Sequence, residues 1–216
     1  IQNTFRLKAS VPTIEYCFSQ NTSIVLMTHL GRPAGFDNSF SVEPIVEFLE
    51  ETFGVFVHYS DDCISDEAIK VSTTMLPKEI HLLENLRFHE GEIDNNLDFA
   101  EKLSKHADVY INDAFGTSHR SHASNSSILS FFEVSCFGFL MDKEITHLSI
   151  KPNNDNNILI VGGAKISTKI NLINNFMDKV SHILIGGGMA FTFLKTKNIE
   201  IGKSLVEKKM LDIASQ

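Results

Sequence analysis

Apolar residues along this chain come in short runs separated by longer stretches of helical spacing. The runs at 23–27, 55–59, 80–83 and 109–112 have the length and composition of buried strands. Residues 4–19 carry Leu7, Val11, Ile14 and Phe18 on one helical face, with Pro12 expected in its first turns or at a kink. Ser41 is a plausible N-cap for a helix to Phe53 that Gly54 would stop. Helices are also expected at 65–70 and at 97–105, where Leu97, Ala100 and Leu103 form a stripe. Strands alternating with helices at this spacing predict an α/β fold with a mostly parallel sheet.

After Arg120 the chain turns small and polar, then apolar from 131 to 140, with a helix expected at 141–150. The following KPNNDNN (151–157) is the most loop-like stretch, which puts a domain boundary between about Phe137 and Asn157. Beyond it the pattern restarts: strand 158–161, a Gly162-Gly163-Ala164-Lys165 turn, helix 166–180, strand 183–185, Gly186-Gly187-Gly188, then helices 189–195 and 206–214. The expected organisation is an N-terminal lobe at 1–138, a connecting helix and linker at 139–156, and a partial second lobe at 157–216. Two strands are too few for an independent α/β domain, so the remainder of that lobe is expected further along the polypeptide.

Three apolar runs empty into polar turns that hold an arginine: THLGR at 28–32, NLR at 85–87 and NDAFGTSHR at 112–120. The last delivers Asp113, Thr117, His119 and Arg120 together. Parallel sheets present their chemistry at the carboxyl ends of strands, so one anion site at one edge of one sheet is expected. Composition sharpens this. The 216 residues include 19 Lys+Arg, yet only four are arginine: Arg6, Arg32, Arg87 and Arg120. A chain that uses lysine elsewhere makes its few planar, bidentate forks candidates for a specific task.

The net charge of −8 argues against a nucleic-acid surface. No apolar run reaches the roughly 18 residues of a membrane span, so no membrane partner is expected. The first residue is Ile, with no basic-plus-apolar leader, and a fragment or processed chain is expected. Cys17, Cys63 and Cys136 fit neither a disulfide framework nor a CxxC knuckle, which favours a reducing, cytoplasmic setting. No His/Cys spacing suggests zinc, and no metal ligand is expected. His29 and His119 lie beside arginines and are site candidates; His89 and His122 are set aside, and His58, His81, His106, His147 and His182 read as packing or surface residues.

A strand, Gly-Gly-Ala-Lys and a helix suit phosphate, because glycines let a ligand approach backbone N–H groups and a helix N-terminus adds positive charge. Lys165 and Lys169, four apart, would share one helix face. The bland alternative is a tight turn with a solvated lysine, but the triple glycine at 186–188 repeats the device and favours a nucleotide. Neither a Walker A nor a GxGxxG motif is present, which disfavours a dinucleotide oxidoreductase.

LMTHLGRP, LLENLRFHEGE, ADVYINDAFGTSHRSHAS, GFLMDKEI, IVGGAKISTKI and IGGGMAFTFLK together resemble phosphoglycerate kinases, in order and across essentially the whole chain. The resemblance implies two Rossmann-like lobes joined by a helix, the second one truncated here. It implies phosphoryl transfer between ATP, with Mg2+, and the carboxylate of 3-phosphoglycerate, giving 1,3-bisphosphoglycerate and ADP, by a cytoplasmic monomer. Arg6, His29, Leu30, Gly31, Arg32, Arg87 and Arg120 would bind 3-phosphoglycerate; Gly163, Ala164, Lys165, Lys169 and Gly187 would lie on the nucleotide side; Arg6 and Lys169 would be catalytic. The family's first strand, with an Asp and an Asn for the substrate, and the later half of the nucleotide lobe have no counterpart here, so the chain is expected to be inactive alone. The alternative is a non-catalytic anion-binding protein that keeps the fold.

Overall fold

The structure, a computed structural model, describes residues 4–149 and 157–216. The expected 151–157 loop, Asn157 excepted, and the last residue of the expected 141–150 helix lie outside the described residues. The chain divides into two compact units, Ile1–Thr146 and His147–Gln216.

The first unit holds a three-stranded parallel sheet in the order β1 (Ile24–Leu26), β3 (Ile80–Leu83), β2 (Val57–Ser60). A separate parallel pair joins β4 (Val109–Asn112) to β5 (Val134–Phe137). The expectation of one sheet edge is therefore corrected: β1 and β3 share a sheet, while β4 pairs with β5. The 134–137 segment is exposed at all four positions, so no buried face distinguishes it from the apolar stretch expected at 131–140. β4 is also less buried than its apolar letters suggested, with Tyr110 alone fully inside. By contrast β3, flanked on both edges, is buried at every position.

Helix α1 (Phe5–Ser19) passes through Pro12 without ending. α2 (Ile45–Phe53) has Pro44 rather than Ser41 at its N-cap and so starts three residues later than expected, because the Ser41 hydroxyl donates to Glu84 Oε2 at 2.7 Å and accepts the Glu43 amide at 3.1 Å. Gly54, at φ 64°, ends it as expected. α3 (Asp66–Thr74) is capped by Ser65 and α5 (Leu97–Ser104) by Asn96, each side chain accepting the amide three residues on. α4 (Glu90–Ile93) is a single turn before α5.

β3 separates two apolar clusters by its period of two. Ile80 and Leu82 pack with Ile14, Leu49 and Val57, whereas Leu83 packs with Phe99, Leu103, Tyr110 and Ile128. Buried beside the second group is a polar chain. Ser72 Oγ lies 2.7 Å from His81 Nδ1 and 2.6 Å from His106 Nδ1. His106 Nε2 lies 2.9 Å from the Cys63 carbonyl, which can only accept. Neutral His106 therefore carries its proton on Nε2, Ser72 donates to His106 Nδ1 and accepts from His81 Nδ1–H, and His81 Nε2 accepts from Ser60 Oγ at 2.8 Å. One carbonyl fixes the direction of every proton in the chain.

α6 (Phe139–Leu148) begins on a clasp. Asp113 Oδ1 accepts the Met141 amide at 3.0 Å and Oδ2 accepts the Thr13 hydroxyl at 2.7 Å, while Thr13 Oγ1 accepts the Phe139 amide at 2.9 Å. Asp113, read as part of a reactive cluster, is thus committed to joining α1, β4 and α6.

The second unit pairs β6 (Ile158–Gly162) with β7 (His182–Gly186) in parallel and adds α7 (Ile170–Phe176), α8 (Ala190–Thr196) and α9 (Leu211–Ser215). Val161, Ile166, Ile173 and Met189 are its buried core. α7 is shorter than the expected 166–180 helix, and α9 is shorter than the expected 206–214 helix, being preceded by a 3-10 turn at Lys208–Met210.

Candidate active site

The loop after β1 and the turn after β3 are fastened together by backbone-directed side chains. Asn85, fully buried, donates through Nδ2 to the Leu30 carbonyl at 2.8 Å and the Phe40 carbonyl at 2.9 Å, and its Oδ1 accepts the Arg87 amide at 3.1 Å. Arg87 Nη1 donates to the Gly31 carbonyl at 2.6 Å. Gly31 sits at φ 64°, and any side chain there would collide with the Phe40 ring. Leu30 and Gly31 therefore spend their carbonyls on holding the loop. Behind them Glu84 accepts from Tyr59, Ser41, Val42 and Asn85. Burial alone would raise its pKa, but these four hydrogen bonds outweigh burial and leave it lowered.

Around His29 the structure gathers positive charge. Burial, then Arg87, Arg120, His122 and Arg6, hold its pKa down to about 4, so it is neutral at pH 7. Arg87 is itself shifted down by burial, Arg120 and Arg32, with Glu92 opposing. Arg6, Arg87 and Arg120 thus act on His29, and Arg32 acts on Arg87, although Arg6 stands on α1 and the other three follow strands of two sheets. None of the four forms a salt bridge among the described residues. Arg120 Nε is buried with no hydrogen-bond partner, and it stands alone in this among the described residues. An unsatisfied buried donor costs about 1–3 kcal/mol, which a bound anion would offset.

Three contributors escaped the sequence reading. His122, set aside there, is buried, faces Glu92 Oε1 at 3.5 Å and adds to the field at His29. Glu92 and Asn85 are also buried and central. Their signal was weak because burial of a polar residue depends on partners distant in the sequence. His119 is exposed, and Thr117 donates to the Ala114 carbonyl at 2.9 Å in its own turn.

In the second unit Gly163, at φ 159°, and Gly187, at φ 69°, bring two strand-end turns together. A Cβ on Gly187 would lie 2.9 Å from the Gly163 carbonyl oxygen, and the Met189 amide donates to that same oxygen at 2.8 Å. Lys165 and Lys169 do not share a helix face: Lys165 precedes the turn, and Lys169 is the residue before α7, at φ −127°. The cause is Glu207, whose Oε2 accepts the Ser167 amide at 3.0 Å and whose Oε1 accepts the Ser167 hydroxyl at 2.7 Å. That carboxylate already fills part of the anion position expected before the helix. Ala164 and Lys165 are exposed beside it. Among the described residues no group of three or more His, Cys, Asp or Glu side chains is placed to hold a metal, and no helix is long and apolar enough to cross a membrane.

Comparisons with known proteins agree with the residue patterns. The phosphoglycerate kinase family model matches residues 1–216. Phosphoglycerate kinase from Finegoldia magna is 45% identical, covering 99% of this chain and 55% of that protein. The cytosolic phosphoglycerate kinase of Triticum aestivum is 42% identical, covering 100% of this chain and 54% of its own length. The structure of phosphoglycerate kinase from Coxiella burnetii superposes with a TM-score of 0.84 at 33% identity, covering 99% of this chain and 54% of that one. The chain spans about half the length of these relatives. On the family match over its whole length, this chain belongs to the phosphoglycerate kinase family.

Proposed function

We propose that this chain supplies the 3-phosphoglycerate side and part of the nucleotide side of an enzyme that moves a phosphoryl group between ATP and 3-phosphoglycerate, giving 1,3-bisphosphoglycerate and ADP, or the reverse. The reading is carried by one observation: three guanidiniums, Arg6, Arg87 and Arg120, act on one neutral histidine, the fourth, Arg32, acts on Arg87, and Arg120 has a buried donor without a partner. Arginine forks suit the oxygens of a phosphate, and an uncompensated cluster favours a polyanionic ligand.

In this reading residues 1–138 bind 3-phosphoglycerate through Arg32, Arg87, Arg120, His29 and the Leu30–Gly31 turn. Residues 139–156 connect to the nucleotide side at 157–216. Gly163, Ala164 and Gly187 leave backbone N–H groups open to phosphates, and Lys165 and Lys169 add charge. Mg2+ arrives with the nucleotide's phosphates and supplies charge neutralisation there. The substrate carboxylate attacks the γ-phosphorus in line, so the protein's task is positioning and neutralisation. Arg6, the exposed arginine at the start of α1, stabilises the transferring group, and Lys169 supports it from the nucleotide side. A cytoplasmic, monomeric enzyme fits this reading. The test is a coupled assay of the protein from its complete open reading frame: ATP-dependent turnover of 3-phosphoglycerate is expected. Binding of the ligand without turnover would instead support an anion-binding protein that keeps the fold.

A further inference from the structure

Arg6, Arg87 and Arg120 act on one histidine and Arg32 acts on Arg87, so like charges repel and some element must set their spacing before a ligand arrives. Glu92, on α4 and 2% exposed, is placed to do this. Its Oε2 accepts the Ser124 amide at 3.0 Å, and its Oε1 accepts the Ser124 hydroxyl at 2.7 Å. Oε1 also faces His122 Nδ1 at 3.5 Å, and the Glu92 carbonyl accepts the Ala123 amide at 2.9 Å. The Tyr110 hydroxyl donates to the Ser124 carbonyl at 2.6 Å from the other side. Upstream, Asn125 Nδ2 and the Arg120 amide both donate to the Thr117 carbonyl at 2.9 Å, which closes the turn that carries Arg120. Glu92 therefore holds the far end of the segment on which Arg120 stands, a few residues after Arg87 in the chain. Its charge attracts Arg87, yet it forms no salt bridge with any guanidinium among the described residues.

We propose that Glu92 is a positioning residue for the 3-phosphoglycerate site: it fixes the 120–124 segment, and with it Arg120, against Arg87 while leaving both forks open. The inference rests on the reading of that site given above. It has an unusual sign. If Glu92 were only a counter-charge, removing its charge would tighten anion binding. As a positioning residue its replacement loosens binding, because a glutamine amide can accept on one side only and presents a donor to the other Ser124 donor.

The test is calorimetric titration of 3-phosphoglycerate, and separately of inorganic sulfate, into the wild-type protein, Glu92→Gln and Ser124→Ala at one ionic strength. Glu92→Gln is expected to weaken both ligands about tenfold, and Ser124→Ala about threefold. In the ligand-free Glu92→Gln protein the Arg120 Nε–Hε resonance is expected to move while that of Arg32 stays, a change that general destabilisation would not produce. Unchanged or tighter binding by Glu92→Gln overturns the proposal. If that variant does not fold, unchanged affinity in Ser124→Ala overturns it. Sulfate binding without 3-phosphoglycerate binding would refute the substrate reading while leaving the Glu92 comparison decisive on sulfate; no binding of either overturns both.

Discussion

Arg87 Nη1 lies 2.6 Å from the Gly31 carbonyl oxygen, so the guanidinium that follows β3 is braced by the loop that follows β1. The contact leaves the rest of the fork free, and it depends on a backbone that glycine alone adopts at ease. At φ 64° and against the Phe40 ring, Gly31→Ala combines strain with collision. A loss of about 1–3 kcal/mol is expected in urea unfolding, with weaker anion binding alongside. Unaltered stability would show that the loop relaxes freely and does not brace Arg87.

The buried His81–Ser72–His106 chain makes the first unit acid-sensitive. Burial, then His106 and His58, depress the His81 pKa from 6.5 to about 4. Burial lowers His106 too, opposed by its bond to Cys63. Facing them are Ser60, Ser72, the Cys63 carbonyl and His58, which is itself bonded to Glu79. The unfolded chain takes up a proton on this residue near pH 6.5 and the folded one does not until about 4. Stability therefore falls as pH drops through that window and levels off below it, by roughly 3 kcal/mol for His81. Urea midpoints from pH 7 to 4 should fall less steeply in His81→Val; an equal slope would assign the acid sensitivity elsewhere.

Gly138 tests the α6 clasp. A side chain there would strike the Asp113 carboxylate, which holds Thr13 and the Met141 amide. Gly138→Ala is expected to cost about 1–3 kcal/mol, read as a lowered Tm. A neutral effect would mean that Asp113 can move without loss and that its two bonds contribute little.

In the protein from the complete open reading frame, and on the proposed phosphoryl-transfer reading, Arg6→Lys keeps a charge and loses the fork. A large fall in kcat with little change in KM is expected, since a group acting on the transferring phosphoryl is felt mainly in the transition state. Arg120→Ala should weaken 3-phosphoglycerate and leave nucleotide affinity unchanged. Unchanged kcat in the first variant, or equal weakening of both ligands in the second, would move these residues out of their assigned roles.

Much of this was legible in the letters. Ile80–Leu83 and Val109–Asn112 are strands where their apolar runs placed them, because strand identity is a local property. The arginines stood out because the chain uses so few. What failed to show was set by partners far along the sequence. The start of α7 is governed by Glu207, forty residues beyond Ser167. The helix face expected for Lys165 and Lys169 disappears with that shift. The division into two sheets reflects the β4–β5 pairing, and nothing in the exposed residues of β5 announced it. His122 is set aside by the sequence reading and Glu92 and Asn85 are not singled out by it, since only burial and hydrogen bonds to distant partners give them a place.

The account stands most directly on whether the four guanidiniums share one ligand. Because the chain contains only Arg6, Arg32, Arg87 and Arg120, its arginine Nε–Hε NMR spectrum holds one resonance for each. On titration with 3-phosphoglycerate all four are expected to shift along a single binding isotherm. Resonances that stay fixed, or that follow different dissociation constants, would contradict a common site.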